Sequence, residues 1–378
     1  MKKKVLAALL SVAMVATLLA GCGGKKEEAP AEAPAAEETA EEEAPAEEAA
    51  PAGDMSFEIV SKGLQHQYWQ AVKKGVEQKA AELGVTVNFV GPDSESNIDQ
   101  QVQQLENALN ANPTAIGLAA LDTESVKGQL QTALDNGIPV IGFDSGVPGA
   151  PEGSVLANCS TDNYAAGELA AEKVYEAVKD RIGDGTVRVG VVAQDATSES
   201  VVNRGLGFID KFAELAAADG HTATVEGNER YVNDSKCGKV DGANVIIDVK
   251  VPASVTSDAS LADVNTLLGN SDIIALYGSN EHSANAIISA AENHSEIGTG
   301  EGQVVAAGFD SGAAQIQAVK DGVLLGSITQ APVAMGEVLV QTMYDAVMGN
   351  AVADTDTGCQ WYTAENIEDP EIAQNLYE

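Results

Sequence analysis

Phe57-Glu58-Ile59-Val60, Tyr68-Trp69-Gln70-Ala71-Val72-Lys73-Lys74-Gly75-Val76 and Val85-Thr86-Val87-Asn88-Phe89-Val90 follow one another closely and decide the fold. The first and third runs are β-branched and aromatic, of strand length. The middle one begins a helical period over 68–83, with Val72, Val76, Ala80 and Leu83 on one face. Gly84 stands where a helix C-terminus favours a residue that tolerates positive φ, and Gly137 repeats the signal. Two strands separated by a single helix pair in parallel through a right-handed crossover.

The same unit recurs along the chain. Helices are expected over 99–110 and 123–136, and strands over 115–118 and 139–143. The pattern restarts with a helix over 164–178. Strands over 187–192, 273–277 and 304–308 then alternate with helices over 198–217, 283–293 and 311–321. A helix over 332–348 has no strand pattern beside it and must return to the first sheet. The fold class is therefore α/β, with two similar doubly wound parallel-sheet lobes joined by a three-segment hinge. Crossovers are expected near 156–160, 330–332 and 355–360. Lobe one is 54–158 plus 331–357, and lobe two is 159–330 plus 358–378.

Upstream lies an export signal. Lys2, Lys3 and Lys4 precede an apolar run from Val5 to Leu19 that is short for a membrane span, and small residues follow. Leu19-Ala20-Gly21-Cys22 then resembles the lipobox of bacterial lipoproteins. That resemblance implies a signal peptide over 1–21, cleavage before Cys22, and lipidation of its thiol. Residues 25–53 are almost entirely Glu, Ala and Pro, a composition that builds no core and stays extended. Residues 22–53 thus read as a lipidated cysteine and an acidic stalk, placing the body outside the cytoplasm on a membrane anchor.

Charge narrows the partners. The chain carries 57 acidic and 21 basic residues, a net −36. Without the three signal lysines, the two lysines and ten glutamates of the stalk, and Asp54 at its junction with the body, 46 acidic and 16 basic remain. Such a body has no basic face for phosphates, so no nucleic-acid partner is expected, and its field repels anions at long range. The ligand is expected to be neutral or cationic. Cys159, Cys237 and Cys359 show no zinc spacing, and free thiols are expected over one disulfide. Asp93-Ser94-Glu95-Ser96-Asn97-Ile98-Asp99 alternates oxygen ligands but lacks the central Gly and distal Glu of a calcium loop; Ser96 or Asn97 reads as an N-cap. No metal and no cofactor are expected. Gly-x-Ser-x-Gly and dinucleotide fingerprints are absent, which argues against an exported hydrolase or dehydrogenase.

In doubly wound sheets, ligands bind beyond the carboxyl ends of the strands. The side chains there are Gln65, His66, Gln67, Tyr68 and Trp69; Asp144 and Ser145; Asn280 and Glu281; Asp310; and Gln330, with Arg204 near the start of a long helix. Planar carboxylates, amides and a guanidinium suit vicinal hydroxyls, and aromatics suit the apolar face of a sugar ring. Each also has a plainer reading: Tyr68 and Trp69 as core, Arg204 as a surface ion pair, and Asp144, Asp310 and Asn280 as caps.

Order and spacing resemble the type I periplasmic sugar-binding proteins, the ribose-binding branch in particular, over nearly all of 56–375. The anchors are Gln65-His66-Gln67-Tyr68-Trp69, Gly142-Phe143-Asp144, Arg204-Gly205-Leu206-Gly207-Phe208, Ser279-Asn280-Glu281, Gly308-Phe309-Asp310 and Ile328-Thr329-Gln330. The resemblance implies a monomeric solute-binding lipoprotein. It would bind a monosaccharide or related polyol through Gln65, His66, Tyr68, Trp69, Asp144, Ser145, Arg204, Asn280, Asp310 and Gln330, and serve an ABC permease without turnover. The same fold also serves as a sensor that presents ligand to a chemotaxis receptor or histidine kinase. Three departures stand out. His66 replaces the family's Asn, Ser145 stands where ribose binders have Arg, and Val255 occupies the place of a third aromatic. About twenty extra residues over 228–244 enlarge lobe two.

Overall fold

The computed structural model describes residues 55–377. Its first sheet holds β1 (Ser56–Val60), β2 (Thr86–Val90), β3 (Ala115–Leu118), β4 (Val140–Phe143), β5 (Ala157–Ser160) and the short β12 (Thr355–Asp356). All pair in parallel, in the order β12-β5-β4-β3-β1-β2. The second sheet comprises β6 (Val187–Val192), β7 (Ala223–Gly227), β8 (Val245–Lys250), β9 (Ile273–Gly278), β10 (Val305–Phe309), β11 (Gly326–Gln330) and β13 (Cys359–Tyr362). Its order is β13-β11-β10-β9-β6-β8-β7, and only the edge strand β13 is antiparallel.

Each sheet is apolar on both faces, which is what helices on both sides require. On one face of the first sheet, α1 (Gln67–Leu83) and α10 (Pro332–Val347) bury Val72, Val76, Met335 and Leu339 against Phe57, Ile59 and Ile141. On the other, α2 (Ile98–Asn110) and α3 (Lys127–Asp135) set Leu105 and Leu130 against Val60, Ile116 and Val140. In the second sheet, α4 (Asn163–Val178) and α5 (Glu199–Ala218) cover Val189, Val191 and Tyr277. There α7 (Ser257–Leu268), α8 (Glu281–Ala291) and α9 (Ala313–Lys320) cover Val192, Leu276 and Ala306.

The chain crosses to the second sheet after β5 and returns through α10, which packs on α1 and on β3, β4 and β5. It then divides β12 and β13 between the sheets. Tyr377 reaches back into the first lobe's core, with its ring 5.9 Å from that of Tyr68.

Gly84 and Gly137 both sit at φ 69° and end their helices. Helix α3 begins four residues later than its periodicity predicts, because Asp122 Oδ1 accepts from the amides of Glu124 and Ser125 and fixes a turn. Between 218 and 272 the alternation continues through elements that the sequence pattern left unassigned: β7, α6 (Glu229–Asp234), β8 and α7. Helix α6 occupies the extra segment. Its Tyr231 is buried against α5, and the hydroxyl donates to the carbonyl of Asp195 at 3.2 Å.

Candidate functional site

The carboxyl ends of the two sheets face one another across a small cavity. Eight of the sequence-predicted residues line it: His66, Tyr68, Trp69 and Asp144 from the first lobe, Arg204, Asn280 and Asp310 from the second, and Gln330 at the end of β11.

Asp144 and Asp310 follow β4 and β10 with φ of 56° and 79°, left-handed conformations rare for non-glycine residues. Such strain costs on the order of 1–3 kcal/mol and persists where surrounding structure imposes it, commonly at binding sites. Neither caps the following helix; α9 is capped by Gly312. Tyr68 donates its hydroxyl proton to Asp144 Oδ1 at 2.7 Å, and Gln330 Nε2 donates to Asp310 Oδ1 at 2.7 Å. Asp310 Oδ2 accepts from the Glu281 amide at 2.9 Å. Burial pushes the Asp310 carboxyl above its ordinary range, with Arg204 and Gln330 offsetting only part.

Arg204 is 2% exposed and lies over Phe309, its Cζ 3.9 Å from the ring centre. Its Nε donates to Asn163 Oδ1 at 2.8 Å, and its Nη1 stands 3.9 Å from Asp310 Oδ2. Its Nη2 is buried with no partner among the described residues. Glycine places it there: a Cβ on Gly207 would lie 2.1 Å from the Tyr164 carbonyl oxygen, and one on Gly167 2.2 Å from that of Arg204. The two glycines let α4 and α5 touch backbone to backbone.

Trp69 and Tyr68 belong to the core and to the cavity at once. Their rings pack edge to face at 4.9 Å, and Trp69 Nε1 donates to Glu95 Oε1 at 2.6 Å. Asn280 likewise serves twice. Its Oδ1 caps α8 through the Ser283 amide, and its Nδ2 donates to Gln194 Oε1 at 2.8 Å.

Two predicted residues do not line the cavity. Gln65 turns away, and its Nε2 donates to the carbonyls of Pro92 and Asp93, folding the 91–97 loop inward. Ser145 accepts from the Ser200 amide at 3.3 Å and joins the lobes beside the cavity. Val255 is half-buried in the loop after β8 and lies outside the lining. Conversely, Lys62, Glu95, Val201 and Glu281 line the cavity without having been among the predicted ligands. Lys62, two residues past β1, places Nζ 2.9 Å from Asp144 Oδ2 and donates across the cleft to Ser200 Oγ at 3.1 Å and Ser198 Oγ at 3.3 Å. Burial would pull this ammonium down; Asp144 and Glu95 outweigh it and hold its pKa up.

Glu95 accepts from Gln194 Nε2 of the second lobe at 3.1 Å. Burial would push its carboxyl up, but His66 and Lys62, with the Trp69 and Gln194 donors, keep it below its ordinary value. His66 lies 4.0 Å from Glu95 and 3.4 Å from Glu281 of the other lobe. Burial opposes its charge; the hydrogen bond to Glu281 and the fields of Glu95, Glu281 and Asp310 prevail, raising its pKa to about 9.

Among the described residues, no cluster of His, Cys, Asp and Glu is placed to hold a metal, and no helix is long and apolar enough to cross a membrane. Asn97 caps α2 within the stretch that resembled a calcium loop. Cys159, Cys237 and Cys359 are free thiols.

Residues 57–351 match the family described as periplasmic binding protein domain. The D-allose-binding periplasmic protein of Escherichia coli (strain K12) is 23% identical over 320 residues, 82% of this chain and 90% of that protein. A structure described as an ABC transporter, LacI family transcriptional regulator from Brachyspira murdochii is 33% identical, with a TM-score of 0.70, covering 86% of this chain and 99% of the other. An ABC transporter solute binding protein from Agrobacterium vitis, solved with bound D-fucose, is 28% identical with a TM-score of 0.70, covering 85% and 100%.

Proposed function

The chain belongs to the periplasmic binding protein domain family, and on that premise we propose that it is an extracytoplasmic solute-binding protein. It captures a monosaccharide or related polyol between its lobes and delivers it to an ABC importer. The observation that carries this reading is Arg204 Nη2, a buried guanidinium donor at the cavity with no partner among the described residues. Leaving such a donor unmade costs about 1–3 kcal/mol, which a ligand hydroxyl recovers. Around it stand carboxylates that accept hydroxyl protons and aromatics suited to a ring face.

Binding closes the lobes, because only the closed arrangement lets Asp144 and Arg204 reach one ligand. Protein contacts already bridge the cleft, Lys62 to Ser200 and Glu95 to Gln194 among them. The permease then reads closure from the two outer lobe surfaces. The ligand leaves chemically unchanged, and the receptor works as a monomer. Lipidation at Cys22 and the stalk over 22–53 would keep the body near the permease; both lie outside the described residues.

Titration calorimetry with D-allose, D-ribose and D-fucose tests the site. For whichever sugar binds, Arg204→Ala and Asp310→Ala should each weaken affinity by about 2–4 kcal/mol, roughly 30- to 1000-fold. Near-wild-type affinity in both variants refutes the assignment, and conversion of the sugar refutes the receptor.

A further inference from the structure

The charged groups of the cavity do not balance. Its lining holds three cationic side chains, Lys62, His66 and Arg204, and four carboxylates, Glu95, Asp144, Glu281 and Asp310. The carboxylate oxygens can be followed one by one. Asp144 Oδ1 takes Tyr68 and Oδ2 faces Lys62. The two oxygens of Asp310 take Gln330 and the Glu281 amide. Those of Glu95 take Trp69 and Gln194. Glu281 Oε1 faces His66, but Glu281 Oε2 is buried and has no hydrogen-bond partner among the described residues.

We propose that the ligand is an amino sugar or another amine-bearing polyol, whose ammonium is held by Glu281 Oε2 while a hydroxyl or ring oxygen accepts from Arg204 Nη2. This deepens the sugar-receptor reading and rests on it. The two orphaned groups are complementary in kind, an acceptor on α8 and a donor on α5, so one small ligand must present both a donor and an acceptor. A hydroxyl could satisfy Glu281 in geometry. Only a cation also matches the fourth carboxylate, and a buried charge without a counter-charge is costly. Anionic sugars such as uronic acids or sugar phosphates would add to the surplus, and the chain's net charge of −36 repels them before they arrive.

The experiment is calorimetry at pH 6.5 on matched pairs: D-glucose with D-glucosamine, D-galactose with D-galactosamine, and the N-acetyl form of each. In at least one pair the amine should bind tenfold or more tightly than its neutral parent, and N-acetylation should abolish that gain. Glu281→Gln keeps the side-chain volume and removes the charge; it should reduce the amine-to-parent affinity ratio at least tenfold, whereas Glu95→Gln should reduce it less. Parents that bind as well as their amines overturn this proposal and leave the sugar receptor standing. A preference that survives Glu281→Gln overturns the placement of the ammonium. Failure of all these compounds, with binding of neutral D-allose, D-ribose or D-fucose, likewise overturns the amine and not the receptor. No binding by any of them overturns both.

Discussion

His66 should make ligand binding proton-linked. It sits on the first lobe with its Nδ1 3.4 Å from Glu281 of the second, so part of its electrostatic environment exists only while the lobes are together. In the closed arrangement its pKa is raised from 6.5 to about 9. Glu95, Glu281 and Asp310 favour the charge, and His282 nearby opposes it. Opening removes Glu281 and rehydrates the ring, returning it toward 6.5. A pKa raised on closure means that closing takes up a proton. The stabilisation is therefore full below about pH 6.5 and is lost as pH rises through about 9. The gap sets a ceiling of about 3 kcal/mol. The side chain is 25% exposed and Glu95 stays beside it after opening, so about 1–3 kcal/mol is expected, roughly 5- to 150-fold in affinity. Calorimetry from pH 6.5 to 9.5 with a neutral sugar ligand should show Kd rising with pH. At pH 7.5, buffers of different ionisation heat should report net proton uptake. His66→Gln should flatten both. Identical pH profiles for wild type and His66→Gln would refute the linkage.

Trp69→Ala should weaken sugar binding and also lower the melting temperature, because the ring belongs to both core and cavity; loss of affinity without loss of stability would contradict the packing described. Gly207→Val should destabilise the second lobe by about 1–3 kcal/mol or more in urea unfolding, since even its Cβ meets the Tyr164 carbonyl at 2.1 Å. An unchanged midpoint would show that α4 and α5 separate easily. Cys22→Ala should release the protein from the membrane fraction or leave the signal uncut, whereas Cys159→Ala should not. Lipid burial contributes about 0.8 kcal/mol per CH₂, and membrane retention of mature Cys22→Ala protein would rule out the lipid anchor.

The sequence carried the α/β alternation because each strand and helix here is locally consistent in period and caps. It also carried those site residues that stand immediately past a strand, such as Asp144 and Asp310. Glu95 was not legible in the same way. It lies five residues beyond β2 and is held at the cavity by side-chain contacts that no periodicity encodes: Gln65 ties the loop at Pro92 and Asp93, and Trp69 and Gln194 donate to its carboxylate. Nothing in the local sequence distinguishes Lys62; only the topology places Asp144 and the α5 N-terminus opposite it. The strand β8 has a clear apolar pattern, but the added segment before it broke the spacing that assigned the other units.

The Arg204-Gly205-Leu206-Gly207-Phe208 run shows how one motif holds two kinds of information. As sequence it pointed to a ligand-binding arginine. As structure it is equally a packing device. Gly207 admits the α4 backbone, Gly205 lies under the Tyr231 ring, where a Cβ would come within 2.5 Å of Cε1, and Phe208 stacks on Tyr277 at 4.3 Å. A guanidinium that must leave one donor free for a ligand cannot be held by saturating it with protein acceptors. It is held instead by a rigid helix below, an aromatic face beside it and a single bond from Nε. The added segment that supplies Tyr231 therefore serves the site without touching it: by filling the space beside Gly205, it fixes the helix from which the free donor projects.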